Sequence, residues 1–280
     1  MAKKSSVVLP PEERCDASGY EVPKPPSVDK LRKQLDKMFT QAKLKSEQER
    51  LVDPALYLVP RRVTPGGEDT MKIGATKLGG LPDLAPGSTW PEHEGVPLTF
   101  VAQLRLEEIA KQGESRLPKT GLLSFFVDNE GEEYCQKALV IHTKDVSTLE
   151  RLEVPAGFQV RRAGRPARVP LAACEVRFIK TLTVPSSSNP NVTKHLAAAA
   201  RERDEEHVNL EPDDVLCQLL GYRYHGYDAE NSEANRLLLR VTSDAQLDSS
   251  FGDEDPLDFY IPVKDLAAGK FGGVYPYIGD

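Results

Sequence analysis

The sequence predicts an α+β fold dominated by β structure: mainly antiparallel sheets built from two related halves, few short helices, and an amphipathic helix near the N-terminus. Three observations predict it. From residue 55 onward, short apolar runs of strand length are broken by turn residues, in a chain of 280 residues with 22 prolines and 20 glycines. These runs outnumber helical ones and show no regular strand–helix–strand alternation, which disfavours a doubly wound nucleotide fold. Their order also repeats.

The elements follow in sequence. Residues 1–27 hold prolines at 10, 11, 23, 25 and 26 and little that could form a core, so they read as a disordered tail. Residues 28–50 read as a helix capped by Ser27, with Asp29 in its first turn. Val28, Leu31, Leu35, Met38, Phe39 and Ala42 fall on one stripe at helical spacing. That stripe either packs on its own domain or docks in a partner's groove through Leu31, Leu35, Met38 and Phe39. Residues 51–280 form one β-rich domain, with halves at about 55–150 and 170–275. Strands are expected at 55–59, 98–104, 121–128, 137–143, 175–184, 236–241 and 257–261, and short helices at 106–112, 194–206 and 263–269.

The repeat emerges when Leu123, Phe125, Phe126 and Val127 are set on Leu257, Phe259, Tyr260 and Ile261. Leu104 then falls near Val241, and the first Gly-rich turn near Leu220–Gly221. That first turn, MKIGATKLGGLPD, places Gly74 and Gly79 five apart with Lys77 between them. A phosphate loop needs a lysine and a hydroxyl after its glycines and then a helix N-terminus. Here Gly79 is followed by Gly80, Leu81 and Pro82, so the segment reads as a turn.

The same stretch carries a resemblance. TKLGGLPDLAPGSTWPEHEGVPLTFVAQLRLEEI with RLPKTGLLSFFVD, and later VLCQLLGY, NRLLLRVTSD and FGDEDPLDFYIPVKDL, are similar to the YwqG-like family over about residues 72–272. The resemblance implies a β-rich fold and brings no reaction, cofactor or substrate. The family's pattern falls on Lys77, Gly79, Gly80, Pro82, Trp90, Pro91, Gln103, Gly221, Tyr222 and Asp253. Arg240 stands where relatives tend to have glutamine, His225 lies near another missing glutamine, and Asp255 replaces a glycine. Lys77, Trp90, Gln103, His225, Arg240 and Asp253 are therefore the candidate binding residues.

Other chemistry is weakly signalled. Cys15, Cys135, Cys174 and Cys217 lack metal or redox spacing, and His93, His142, His195, His207 and His225 form no ligand pair, so no metal or cofactor is expected. Cys217 with His225 is the first suspect for a catalytic pair, against the reading of Cys217 as a buried small hydrophobe. Asp253, Glu254, Asp255 and Asp258 break the calcium-loop pattern and read as a solvated acidic turn. Seven Lys/Arg over residues 151–180 read as a polar connector, or as a partner of the acidic last third within the molecule or between subunits.

Formal charge is −7, and residues 201–280 carry 7 Lys/Arg against 18 Asp/Glu, so nucleic acid is not the expected partner. No apolar run approaches the ~18 residues of a membrane span, and no secretory signal is recognised. These features predict an intracellular, cytoplasmic, non-enzymatic protein-binding or interaction module, with self-association compatible. An enzyme, such as a hydrolase with a site near Trp90, Gln103, His225 and Asp253, and a structural subunit of a larger assembly are the alternatives.

Overall fold

A computed structural model describes residues 26–41, 45, 48–64, 66–128, 137–156, 158, 160–162, 165–167, 170–185, 217–223, 234–242, 247 and 256–278. The expected tail (apart from its last two residues), the expected helix 194–206, His225 and Asp253 lie outside these.

Helix α1 spans Val28–Gln41. Ser27 Oγ accepts the Lys30 backbone N–H at 3.4 Å, the bond expected of a capping serine. Leu31, Leu35, Met38 and Phe39 are buried with Leu51, Leu182 and Val184, the first of these from the short helix α2 (Gln48–Leu51). The stripe therefore lies against this chain's own sheet, at strand β12 (Cys174–Thr183). In this structure the four side chains proposed for docking are packed within the chain itself. Side chains buried at 0–4% exposure have no area left to offer a partner.

One ten-stranded antiparallel sheet dominates. At its centre β1 (Asp53–Arg62) pairs with β12 over ten residues, from Asp53↔Thr183 to Arg62↔Cys174. Tyr57 and Val59 bury one face of β1, and Leu56 and Leu58 the other. The run ALYLV is thus continuously apolar because both sides are covered.

Each central strand joins the strands of the opposite half. β1 pairs with β13 (Cys217–Leu219), which leads to β14 (Asn235–Val241), β15 (Leu257–Pro262) and β16 (Tyr275–Ile278). β12 pairs with β2 (Lys77–Leu78), which leads to β6 (Thr99–Arg105), β7 (Leu122–Val127) and β8 (Ala138–Thr143). The two wings fold toward each other, and the Phe125 and Phe259 rings meet edge to face at 5.3 Å.

Register is similar in the two wings. Lys77, Gln103 and Ser124 lie opposite one another across β2, β6 and β7, as Gln218, Arg240 and Asp258 do across β13, β14 and β15. A bulge separates Phe100 from Ala102 in β6, and another Leu237 from Leu239 in β14. Gly79 N–H donates to the Val101 carbonyl at 2.8 Å, and Leu220 N–H to the Leu238 carbonyl at 3.1 Å.

Smaller pieces complete the wings. β3 (Asp83–Leu84) pairs with β9 (Glu150–Arg151), and β4 (Glu92–His93) with β5 (Val96–Pro97). β10 (Val160–Arg162) pairs with β11 (Arg165–Ala167). Helix α3 (Leu106–Lys111) follows β6, and α4 (Val263–Ala267) follows β15.

Because α1 contributes to the core, Leu35→Ala should lower unfolding free energy by about 2–5 kcal/mol, while exposed Lys33→Ala should stay within about 0.5 kcal/mol. Urea unfolding of the two variants checks this.

Candidate functional site

Polar side chains inside a sheet must find partners, and in the first wing they find each other. Gly79 and Gly80 have φ of 62° and 73°, and a Cβ at Gly80 would drive into the Glu68 carboxylate. Only glycine lets the backbone pass that close. Glu68, from a 3₁₀ turn over Gly67–Thr70, accepts the Lys77 ammonium at 2.7 Å and the Leu81 N–H at 2.7 Å on one oxygen. An anion does sit over the Gly–Lys segment, then, but it is the chain's own carboxylate.

Asp83 completes this centre. Its Oδ2 accepts Gly74 N–H at 2.8 Å and the Gln103 amide at 2.7 Å, and its Oδ1 accepts Arg151 Nε at 2.8 Å. The Gln103 carbonyl returns the bond by accepting Asp83 N–H at 2.9 Å, and its amide also reaches the Ala75 carbonyl at 2.8 Å. Lys77 Nζ lies 3.8 Å from Asp83. Burial pulls the Lys77 ammonium below its ordinary pKa despite Asp83 and Glu68. Burial also works to raise Asp83, but the bonds from Arg151 and Gln103, the Lys77 charge and the Gly74 N–H hold its carboxyl below the usual range.

In the second wing Asp258 occupies the place of Ser124. Arg240 Nε lies 3.0 Å from its Oδ1 and Arg223 Nε 3.6 Å from its Oδ2, and all three side chains are buried. The Arg223 guanidinium also lies 5.8 Å from the centre of the Tyr277 ring. Burial outweighs the two arginines and raises the Asp258 carboxyl above its ordinary range. Asp258 is thus no part of a solvated acidic turn, which corrects that reading: its place on β15 opposite Arg240 carries it inside. Arg151 likewise belongs to a buried network rather than to a polar connector, because β9 sets it opposite Asp83.

The Leu220–Gly221 turn has φ of 60° and 81°, as Gly79–Gly80 does nearly. Beside it lies a half-open cavity of about 350 Å³. Its lining combines apolar residues (Leu220, Leu237, Val263, Leu266 and Ala267) with the polar Asp53, Arg116, Arg236 and Ser115. Arg116 is committed to Asp53, to both oxygens of Glu114 and to the Pro54 carbonyl. Burial raises the Asp53 carboxyl above its usual range, against the lowering pull of Arg116 and Arg236.

The candidate binding residues are therefore spread over several places. Lys77 and Gln103 share one buried centre, and Arg240 holds the corresponding register position in the other wing. Trp90 is 7% exposed, donates its indole N–H to the Leu98 carbonyl at 2.7 Å, and packs against Phe126 and Phe158. It is a core anchor rather than a cleft wall. Cys217 is buried with its Sγ 3.6 Å from Thr242 Oγ1. Sequence reasoning missed Glu68, Asp83 and Arg151 as partners, and it missed the cavity residues Asp53, Arg116 and Arg236. A readable signal was present only for Asp258 and Arg240, as charges inside apolar strand runs.

A family described as a domain of unknown function (DUF1963) matches residues 76–278. The chain belongs to the DUF1963 family. The match runs from Thr76, just before β2, to the end of β16, so it holds both wings and β12. β1 and α1 of this DUF1963 protein precede it, although β1 is a central strand. No curated protein matches the chain. No helix among the described residues is long and apolar enough to cross a membrane, and no described group of His, Cys, Asp and Glu is arranged to hold a metal ion.

The depressed Asp83 pKa fixes a sign. Asp83 contributes stability that is fully present above the unfolded carboxylate value of about 3.9 and is lost as pH falls through its lower folded value. Asp83→Asn should therefore unfold more easily at pH 7 and show a flatter loss of stability below about pH 4 than the parent. Urea unfolding at pH 2–7 measures both slopes.

Proposed function

We propose that the protein is a non-enzymatic protein-binding module, and that its binding site is the cavity beside the Leu220–Gly221 turn. One observation carries the reading: the cavity's lining combines apolar side chains with the Arg116–Asp53 ion pair, the composition of a holding site. The candidates Lys77, Trp90, Gln103 and Arg240 support it too, since each is spent on contacts inside the chain. Among the described residues that line the cavity, Ser115 and Asp53 carry side chains able to act as nucleophiles, and no histidine or cysteine lines it with them.

The two wings derive, in this reading, from one duplicated unit. The matching polar rows, bulges, paired positive-φ turns and turn hydrogen bonds support it, because chance resemblance of apolar runs would not repeat all four. Exchange of β1 and β12 between the halves then makes the pair inseparable. The apolar stripe of α1, amphipathic by sequence, serves as a cover for β12. A cytoplasmic setting suits the reduced thiols of Cys174 and Cys217.

A full-length bait bearing a photo-crosslinker at Ala267 should capture a discrete polypeptide from native extract. Failure to capture any, combined with turnover of ester, amide or phosphoester substrates by the same preparation, would contradict the reading.

A further inference from the structure

Strand β12 is paired on one side only along most of its length. Its ladder with β1 runs the whole strand, from Cys174 to Thr183. Its ladder with β2 covers Cys174 and Glu175 and then stops. From Val176 onward, the edge turned away from β1 has no strand beside it among the described residues. Helix α1 packs on the far end, where Thr181, Leu182 and Thr183 are buried. Between these limits Val176, Phe178 and Ile179 are half-buried, and Arg177 and Lys180 are exposed. Alternate N–H and C=O groups of this stretch therefore point outward without a ladder partner.

Other edges of the sheet are closed in ways this one is not. β8 and β16, at the two ends of the strand order, lie close to each other. β1, past its pairing with β13, carries Pro60, which has no N–H to donate, and its Arg61 is ion-paired with Glu175. β12 has no proline from Val176 to Thr183. Its edge is marked by charge instead. Arg177 and Lys180 stand there exposed, and neither has an ion-pair partner among the described residues. A second copy docked antiparallel about the midpoint of Phe178 and Ile179 would set Arg177 against that copy's Lys180. Like charges directly opposite oppose such a pairing, and they favour a strand of the other sign.

The residue pattern then sets the chemistry of that strand. Successive side chains of a strand point to opposite faces, so Arg177 and Ile179 share one face and Phe178 and Lys180 the other. Ile179 packs beside Tyr57 and Val59, and Phe178 against the main core, each with part of its surface uncovered. An added strand would cover both and set a side chain opposite each cation. Its fitting sequence is two carboxylates flanking two apolar residues, an order that reads alike in either strand direction. Helix α1, packed on the same strand, exposes Lys30, Arg32, Lys33 and Lys37 against Asp29 and Asp36, so this neighbour is also net basic.

We propose that the free edge of β12, from Val176 to Lys180, receives an extended acidic segment of a partner polypeptide as an added strand. Its carboxylates lie beside Arg177 and Lys180, and its apolar side chains beside Phe178 and Ile179. Main-chain hydrogen bonds supply the hold and the alternating side chains the selection. This surface shares no residue with the cavity lining. It goes beyond the cavity reading, and the Ala267 crosslinking bait does not decide it.

The test uses the full-length protein and peptides blocked at both ends: Thr-Thr-Glu-Val-Val-Glu-Thr-Thr, the same peptide with Lys for Glu, and two acidic versions N-methylated at complementary alternate residues. Fluorescence anisotropy at low salt should show the acidic peptide binding at least about five-fold more tightly than the basic one. That is the scale of exchanging two cross-strand ion pairs for two like-charge contacts. One N-methylated version should bind at least about ten-fold more weakly while the other stays near the parent, the period-two signature of a ladder. Replacing both exposed cations, Arg177→Ala with Lys180→Ala, should bring acidic and basic peptides within about two-fold of each other. Arg177→Glu with Lys180→Glu should invert the preference. Saturation with the acidic peptide should also slow hydrogen exchange at alternate amides between Val176 and Lys180. Equal affinity for acidic and basic peptides, equal loss in both N-methylated versions, or unchanged exchange in this stretch would each overturn the proposal. So would absence of binding by protein whose circular dichroism is that of the folded chain. Protection of the same amides that rises with protein concentration alone would overturn it in favour of a second copy.

Discussion

The pairing of β1 with β12 is the constraint on which the architecture depends. Ten residues of each strand run antiparallel in unbroken register, and each strand hands its other edge to the opposite half of the chain. The first half therefore supplies a central strand to the second, and the second to the first. Neither wing has a complete inner edge without the other's strand, and an unpaired edge of buried backbone would be costly. This explains why β1 is buried on both faces over its middle six residues and why α1 covers the pair near Leu182 and Val184.

The wings solve one problem twice with different side chains. Where three neighbouring strands carry polar residues inward, the first wing uses Lys77, Gln103 and Ser124 and recruits Glu68, Asp83 and Arg151 from loops and β9. The second uses Gln218, Arg240 and Asp258 and recruits Arg223. In the second wing the Gln218 amide ties down the turn by donating to the Leu220 and Tyr222 carbonyls, at 2.7 and 3.0 Å. In the first wing Glu68 does the equivalent work by accepting Leu81 N–H, where Thr183 Oγ1 accepts Tyr222 N–H at 2.8 Å. Buried polar networks of this kind specify one register, since slipping a strand by one residue would leave every member unpaired. The second wing leaves a cavity beside its turn, and function is proposed to reside there.

Much of the fold was legible because long strands and helices write their period into the sequence. β1, β6, β7, β8, β12, β14 and β15 each fall on an expected apolar run. The strands that were missed, such as β2 and β3 with two residues and β13 with three, are too short to have a period. The site was less legible for a different reason. Lys77 and Gln103 stand in a motif and so read as binding residues, but partners such as Asp83, 20 residues before Gln103, are brought to them only by folding. Asp258 looked like the end of an acidic surface run, and only its strand register turns it inward. The cavity draws Asp53, Arg116, Arg236 and α4 from four separate stretches, and no spacing rule links them.

Native-state hydrogen exchange tests most directly whether the exchanged central strands bind both wings into one unit. Backbone amides in β1, β7, β12 and β15 should open with the same free energy, equal to that of global unfolding, and respond together to urea. If β14–β16 instead opened at a distinctly lower free energy while β1 and β12 stayed protected, the wings would be independent and this account of the fold would be wrong.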